Sequence, residues 1–275
     1  MNQIIFENPE ILAVAAAQSF QELALEAITS RGRFNVALAG GSTPKVIYEK
    51  LATLPLPWAQ IHLFWGDERL VPITDLRSNY RMVQEALLEK ISIPPENVHQ
   101  VDVRLELSRE QAFQVVMSKY FLTQDDPEGF PYSSKPLMYL EDAKYGQPFD
   151  PLHPYTDYIF EQILNSYQAE LEGVQFDLVH LGLGTDGHMA SLFPATNLEL
   201  NALAQLTFPT PELEPQVQRL SLSLQTINAA LVKQFFVTGT SKKDILEQIR
   251  NGVDYPAAQV QNAQWWLDQA ASTDE

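Results

Sequence analysis

The chain has no cysteine in its 275 residues, which excludes a disulfide scaffold, a cysteine-ligated zinc or iron–sulfur centre and a thiol nucleophile. The same absence fits a reducing compartment. Bases are scarce, with 18 Lys and Arg against 35 Asp and Glu, and the formal charge is −17. Nucleic-acid backbones are held by clustered cations, so this balance argues against a nucleic-acid partner. No segment approaches 18 uninterrupted apolar residues, and the first residues, MNQIIFENPE, lack the basic and long apolar regions of a secretory signal. The expectation is a soluble, cytoplasmic protein that engages no membrane. The length allows one large domain or two small ones, and a single α/β domain over residues 1–275 is expected. Such a domain buries roughly three quarters of its unfolded surface and needs no staples.

What is present reads as strands alternating with helices. Asn8 can cap, and Pro9 can open, a helix over 9–30, with Leu12, Ala16, Phe20, Leu23 and Ala27 at helical spacing and Gly32 as its stop. The apolar run Phe34–Ala39 has the length and composition of a buried strand, and Ile61–Trp65, Phe176–Leu181, Leu220–Leu224 and Gln234–Thr238 also read as strands. Helical patterns occur after Pro44 and over 78–91, 108–122, 157–169 and 241–250. Strands nearly continuous in Val, Ile, Leu and Phe, alternating with helices, predict a three-layer, Rossmann-like open sheet, mostly parallel, with helices on both faces.

Two stretches depart from this rhythm. Residues 123–158 hold six of the 18 prolines and five of the ten tyrosines. They predict an ordered, mostly irregular insertion whose tyrosines join a subunit or partner contact. Residues 216–250 hold five cations, Arg219, Lys233, Lys242, Lys243 and Arg250, against two acids. That island suits a small anionic ligand, or equally a solvated helix face.

Ligands of open α/β sheets gather at the carboxyl ends of strands, so three loops carry the functional signal. In Gly40-Gly41-Ser42-Thr43-Pro44 the glycines allow a tight turn, Ser42 or Thr43 can cap the helix, and its free N–H groups can face an anion. The plainer alternative is a capped turn. Gly66-Asp67-Glu68-Arg69 sets three charges at a strand mouth, where they bind sugar hydroxyls and anions or pair with one another. Gly182-Leu-Gly184-Thr-Asp186-Gly187-His188 matches G-x-G-x-x-G. Pro194 interrupts the helix that this fingerprint requires and no strand follows promptly, so nicotinamide binding is rejected. His188, after three glycines, is expected to be accessible, and imidazole is the side chain suited to proton exchange near neutral pH. The other histidines, at 62, 99, 153 and 180, lack metal-ligand spacing, and no protein-built zinc site is expected.

LAGGSTPKVIYEKL (38–51), FWGDERLVP (64–72) with Ser78 and Asn79, FDLVHLGLGTDGHMASLFP (176–194), the Arg219-Leu-Ser-Leu-Ser223 strand, VTGTSK (237–242) and WWLDQAA (265–271) lie in order along the chain. Together they resemble the 6-phosphogluconolactonase family, within the wider group of sugar-phosphate isomerases that includes glucosamine-6-phosphate deaminase. Arg69 after Glu68, where a deaminase is expected to read D-E-Y, and Ser191-Leu-Phe-Pro194 after the histidine loop resemble the lactonases. Met189 stands where that family usually has Thr.

The resemblance implies hydrolysis of 6-phosphoglucono-1,5-lactone to 6-phosphogluconate in the oxidative pentose phosphate pathway. It implies His188 as general base on water, Asp186 orienting its loop or ring, and backbone N–H groups of the glycine-rich loops as oxyanion donors. Arg69 is counted with this catalytic set. The phosphate is expected on Ser42, Thr43, Arg219 and Lys242, beside Gly40 and Gly41, while Asp67, Glu68 and Arg69 face the sugar or fix their loop. The chemistry requires no metal and no organic cofactor. The expected partner is the small-molecule substrate, and the protein is expected to be a monomer or a small homo-oligomer. Two other readings stay open: a deaminase or isomerase acting on an amino sugar phosphate, and a non-catalytic sugar-phosphate sensor.

Overall fold

The computed structural model describes residues 1–103, 153–194, 196–199 and 201–272. In chain order the strands are β1 (Asn2–Phe6), β2 (Phe34–Leu38), β3 (Ile61–Trp65), β4 (Asp67–Arg69), β5 (Val98–His99), β6 (Leu178–Leu181), β7 (Ala204–Thr207), β8 (Arg219–Leu222), β9 (Val232–Val237) and β10 (Gln264–Asp268). The helices are α1 (Pro9–Arg31), α2 (Ser42–Leu51), α3 (Asn79–Ala86), α4 (His153–Leu171), α5 (Leu224–Ala229) and α6 (Lys243–Arg250). Seven strands form a parallel sheet in the order β1-β10-β9-β6-β2-β3-β5. The expected Rossmann-like architecture, a mostly parallel sheet with helices on both faces, is the one present.

Its central strands are largely apolar because both faces are covered: every residue of β2 and of β6 is buried, Asn35 and His180 included. Helix α1 begins as its sequence predicts, with Asn8 Oδ1 accepting the Ile11 N–H at 3.0 Å. It ends at Gly32, whose φ of 81° lets its N–H reach back to the Ile28 carbonyl at 2.8 Å. The helix is long and apolar enough to cross a membrane by length and composition. Here its stripe of Leu12, Ala16, Phe20, Ala24 and Ala27 is buried, and Phe20 meets Phe34 of β2 edge-on at 5.2 Å. Full burial of one such ring contributes about 1.5–3 kcal/mol.

The sequence-based expectations fail where tertiary pairing decides. The expected strand Leu220–Leu224 is β8, Arg219–Leu222, and it lies outside the parallel sheet, in the middle of an antiparallel sheet of order β4-β8-β7. Ser223 ends the strand by capping α5, accepting the Thr226 N–H at 3.1 Å. The charged triplet expected as a loop, Asp67–Arg69, is itself strand β4, paired with β8. Strands β1, β5, β7 and β10 carry no apolar run long enough to announce them. Helix α4 starts at His153, earlier than expected, with Pro154 in its first turn, where a missing N–H costs little. The expected helix over 108–122 and the Pro/Tyr-rich stretch 123–158 lie outside the described residues, except 153–158, which open α4.

One buried group makes the fold sensitive to acid. His180 in β6 is fully buried between Tyr48, Phe20 and Phe236, and its Nε2 has no hydrogen-bond partner. Burial pulls its pKa from 6.5 down to about 3. The folded state therefore keeps the imidazole neutral while the unfolded chain takes up a proton below about 6.5, so this residue costs stability as pH falls through that window. The slope is up to roughly 1.4 kcal/mol per pH unit. Glu68, which burial pushes up to about 7, acts in the opposite sense. Comparing urea midpoints of the wild type and His180→Leu at each pH between 7 and 4 isolates the histidine. The variant is expected to lose less stability on acidification, and parallel curves would refute this.

Candidate active site

The parallel sheet changes direction between β2 and β6. From β2 the chain proceeds outward through β3 to β5, and from β6 outward through β9 to β10. The loops leaving β2 and β6 therefore diverge, and a crevice opens at their carboxyl ends. A cavity of about 360 Å³ lies there, lined by residues 40–44 after β2, Gly182, Leu183 and His188 after β6, and Lys242 after β9. Asp67, Arg69 and Arg219 reach the same cavity from the antiparallel sheet.

Neither Ser42 nor Thr43 caps α2 with its side chain. The N-cap is Gly41, at φ 105°, and Ser42 and Thr43 are the first helical residues, so their N–H groups have no helix carbonyl to receive them. Thr43 Oγ1 lies 2.8 Å from Thr238 Oγ1, which joins this turn to the end of β9. Gly40 is required by a close neighbour: a Cβ there would sit 2.0 Å from the Asn79 Oδ1. The same Asn79 donates through Nδ2 to the Asp67 carbonyl at 2.9 Å and to Asp67 Oδ1 at 3.2 Å.

The three charges of Asp67–Arg69 divide by the pleat of β4. Glu68 is buried and absent from the cavity wall. It accepts the N–H groups of Arg69, Asn79 and Tyr80, each at 2.7 Å, and the Ser78 hydroxyl at 3.2 Å. Of the two roles expected for it, the geometry gives it the fixing of the loop. Asp67 is also buried, but it borders the cavity and accepts the Ser191 hydroxyl at 2.6 Å.

Arg69 and Arg219 stand directly opposite one another across the β4–β8 pair. Arg219 is 3% exposed, so it is not a surface arginine. It lies over the Phe193 ring at 5.2 Å and donates to the Pro215 carbonyl at 3.3 Å. Burial, and then the charge of Arg69, draws its pKa down, while Asp67 and Asp186 oppose the shift. The Nε atoms of both arginines are buried without a partner in the protein. Two facing cations with unused donors are destabilising on their own and complementary to a multiply charged anion.

On the loop after β6, Asp186 Oδ1 lies 2.5 Å from His188 Nδ1 and 3.3 Å from the His188 N–H. Burial raises the Asp186 pKa, but the hydrogen bond and charge of His188 outweigh it and the net direction is down. The loop closes on itself through Gly184 N–H to the His188 carbonyl at 2.8 Å. Met189 and Leu192 bridge directly after His188, where the fingerprint would place the first turns of a helix. A Cβ on Gly184 would sit 2.1 Å from His188 Nδ1 and 2.4 Å from Asp186 Oδ1. Gly184→Ala is therefore expected to prise the pair apart and lower kcat by between about 10- and 100-fold, the effect of a small misplacement of a reacting group. Circular dichroism checks the fold, and an unchanged kcat in a folded variant would show that the pair has no part in turnover.

The cationic island at 216–250 does not persist in three dimensions. Of its five members only Arg219 and Lys242 reach the cavity. Lys233 is buried and donates to the Ala230 carbonyl at 3.0 Å, and Lys243 and Arg250 are exposed elsewhere. Ser191, Asn79 and the Leu183 carbonyl, which receives the Lys242 ammonium at 2.6 Å, have no role that the sequence alone predicts. Their positions fall within the motifs, but only contacts between distant segments give them roles. Among the described residues, no group of three or more His, Asp or Glu is placed to hold a metal ion.

Known proteins resemble the chain in sequence and in fold. The sequence matches the family described as glucosamine-6-phosphate isomerases/6-phosphogluconolactonase over residues 7–125 and 142–268. A 6-phosphogluconolactonase of Synechocystis sp. is 32% identical over 272 residues, covering 96% of this chain and 94% of the relative. The crystal structure of a 6-phosphogluconolactonase from Thermotoga maritima superposes with a TM-score of 0.72 at 26% identity, covering 97% of this chain and 98% of that one. A monomeric glucosamine-6-phosphate deaminase also superposes, with a TM-score of 0.70 at 16% identity and 98% coverage of both chains, and that likeness is one of fold alone. With two separate lines of similarity running along nearly its whole length, the chain belongs to the glucosamine-6-phosphate isomerase/6-phosphogluconolactonase family.

Proposed function

We propose that the protein hydrolyses 6-phosphoglucono-1,5-lactone to 6-phosphogluconate, acting as a cytoplasmic monomer or small homo-oligomer on this small molecule. The observation that carries the reading is the meeting, in one cavity, of His188, bonded to Asp186, with the Arg69–Arg219 pair and the start of α2. Relatives named for this activity along nearly the whole chain support it.

The roles follow from the atoms. With its Nδ1–H given to Asp186, His188 carries a lone pair on Nε2 and takes a proton from water as the water oxygen bonds to C1. Asp186 fixes this tautomer and stabilises the imidazolium. The tetrahedral oxyanion draws on backbone N–H groups of the glycine-rich loops, and Arg69 adds positive charge beside it. Collapse breaks the bond between C1 and the ring oxygen, which leaves as the C5 hydroxyl with the proton returned by His188. The phosphate rests on the first turn of α2, Arg219 and Lys242.

A deaminase reading makes a different demand, release of ammonia from an amino sugar phosphate. Purified protein is offered freshly prepared 6-phosphogluconolactone and glucosamine-6-phosphate in parallel, with acid and ammonia followed. Acid from the lactone alone is expected. Ammonia alone would replace the lactonase reading with the deaminase one, and release of neither would leave a binding protein.

A further inference from the structure

Lys242 connects the two halves of the cavity. Its ammonium donates to the Leu183 carbonyl at 2.6 Å, and Leu183 belongs to the same loop as Asp186 and His188. The other backbone bonds at Gly184 and Gly187 run largely within that loop, and one external anchor is the Ala257 N–H on the Gly187 carbonyl at 3.2 Å. An ammonium has three donors, so Lys242 can keep Leu183 and take an anionic oxygen at the same time. It is half-buried; burial lowers its pKa and the charge of Asp186 opposes this. A neighbouring dianion would favour the charged form and relieve the facing charges of Arg69 and Arg219. Occupation of the anion site is thereby coupled to the loop that carries the base, through one shared side chain.

We propose that an oxodianion bound in the phosphate part of the cavity, and not attached to the substrate, activates hydrolysis of the lactone that lacks a phosphate, with Lys242 as the positioning residue. The proposal rests on the lactonase reading. The water oxygen still bonds to C1, the bond from C1 to the ring oxygen breaks, and the proton passes through His188 to that oxygen; the dianion is unchanged. Binding energy that the intact substrate supplies through its phosphate is supplied here by a separate ion.

The test uses the purified full chain, fresh glucono-1,5-lactone and increasing sodium phosphite at constant ionic strength, with rates corrected for the enzyme-free reaction. A saturable rise in kcat/KM of roughly 5- to 150-fold is expected, the usual span for coupling between two sites. Lys242→Met, checked for folding by circular dichroism, is expected to bring the ratio with and without phosphite close to one. Full activation in that variant would overturn the role of Lys242. No rise, or inhibition, in a preparation that rapidly hydrolyses the phosphorylated lactone would overturn the coupling and leave the lactonase reading intact. A preparation that hydrolyses neither lactone would overturn both. The wild-type titration decides the coupling even if the variant does not fold.

Discussion

His188→Gln is expected to lower kcat on 6-phosphogluconolactone by at least ~10²-fold, the low end of what a positioned general base supplies. Affinity for 6-phosphogluconate is expected to stay nearly unchanged, because the groups assigned to the phosphate lie on other segments. Glutamine fills similar space and can still hydrogen-bond to Asp186, so the loop should hold its shape while losing the group that accepts a proton. Steady-state kinetics on the freshly made lactone, with thermal unfolding as a control, separates the two effects. A folded variant that turns over at the wild-type rate would show that water is activated by another group, and the proposed mechanism would be withdrawn.

Arg219→Ala and Lys242→Ala are each expected to weaken 6-phosphogluconate binding by roughly 1.5–3 kcal/mol, the range for a hydrogen bond to a charged group. Binding of gluconate, which lacks the phosphate, should change far less. For Arg219 the loss is expected without a comparable loss of stability, because its removal also ends the repulsion by Arg69. Calorimetric titration of both ligands against each variant provides the measurement. Equal losses for the two ligands would mean that these cations contact the sugar or only support the fold.

The parallel sheet was legible because its central strands are covered on both faces and so are mostly apolar, as at Phe34–Leu38 and Ile61–Trp65, where Asn35 and His62 are the single polar residues. Helix α1 was legible because Asn8, Pro9 and Gly32 act within a few residues of themselves. The turns after β2 and β6 could be located for the same reason: glycines after a mostly apolar strand describe a local turn, and residues 40–44 line one cavity with Gly182, Leu183 and His188.

The antiparallel sheet was not legible. Asp67-Glu68-Arg69 is the opposite of a strand by propensity, and it becomes one because β8 supplies its backbone partners and Ser78, Asn79 and Tyr80 satisfy Glu68. Strand β10, inside WWLDQAA except for its first residue, Gln264, has too short an apolar run to read as a strand, since its identity rests on parallel pairing with β9 and β1.

By itself, then, the sequence determined the α/β class, the glycine-rich turns after β2 and β6 and the family, because each is encoded by residues close together in the chain or by their order along it. Only the tertiary structure decided that Arg69 faces Arg219, that Glu68 turns away from the cavity, that Lys233, Lys243 and Arg250 take no part in it, and that Lys242 holds the loop of His188. Those are contacts between segments separated by tens to more than a hundred residues. Charge and burial there are set by which strands pair and which loops meet at the switch point, and no local pattern records that choice.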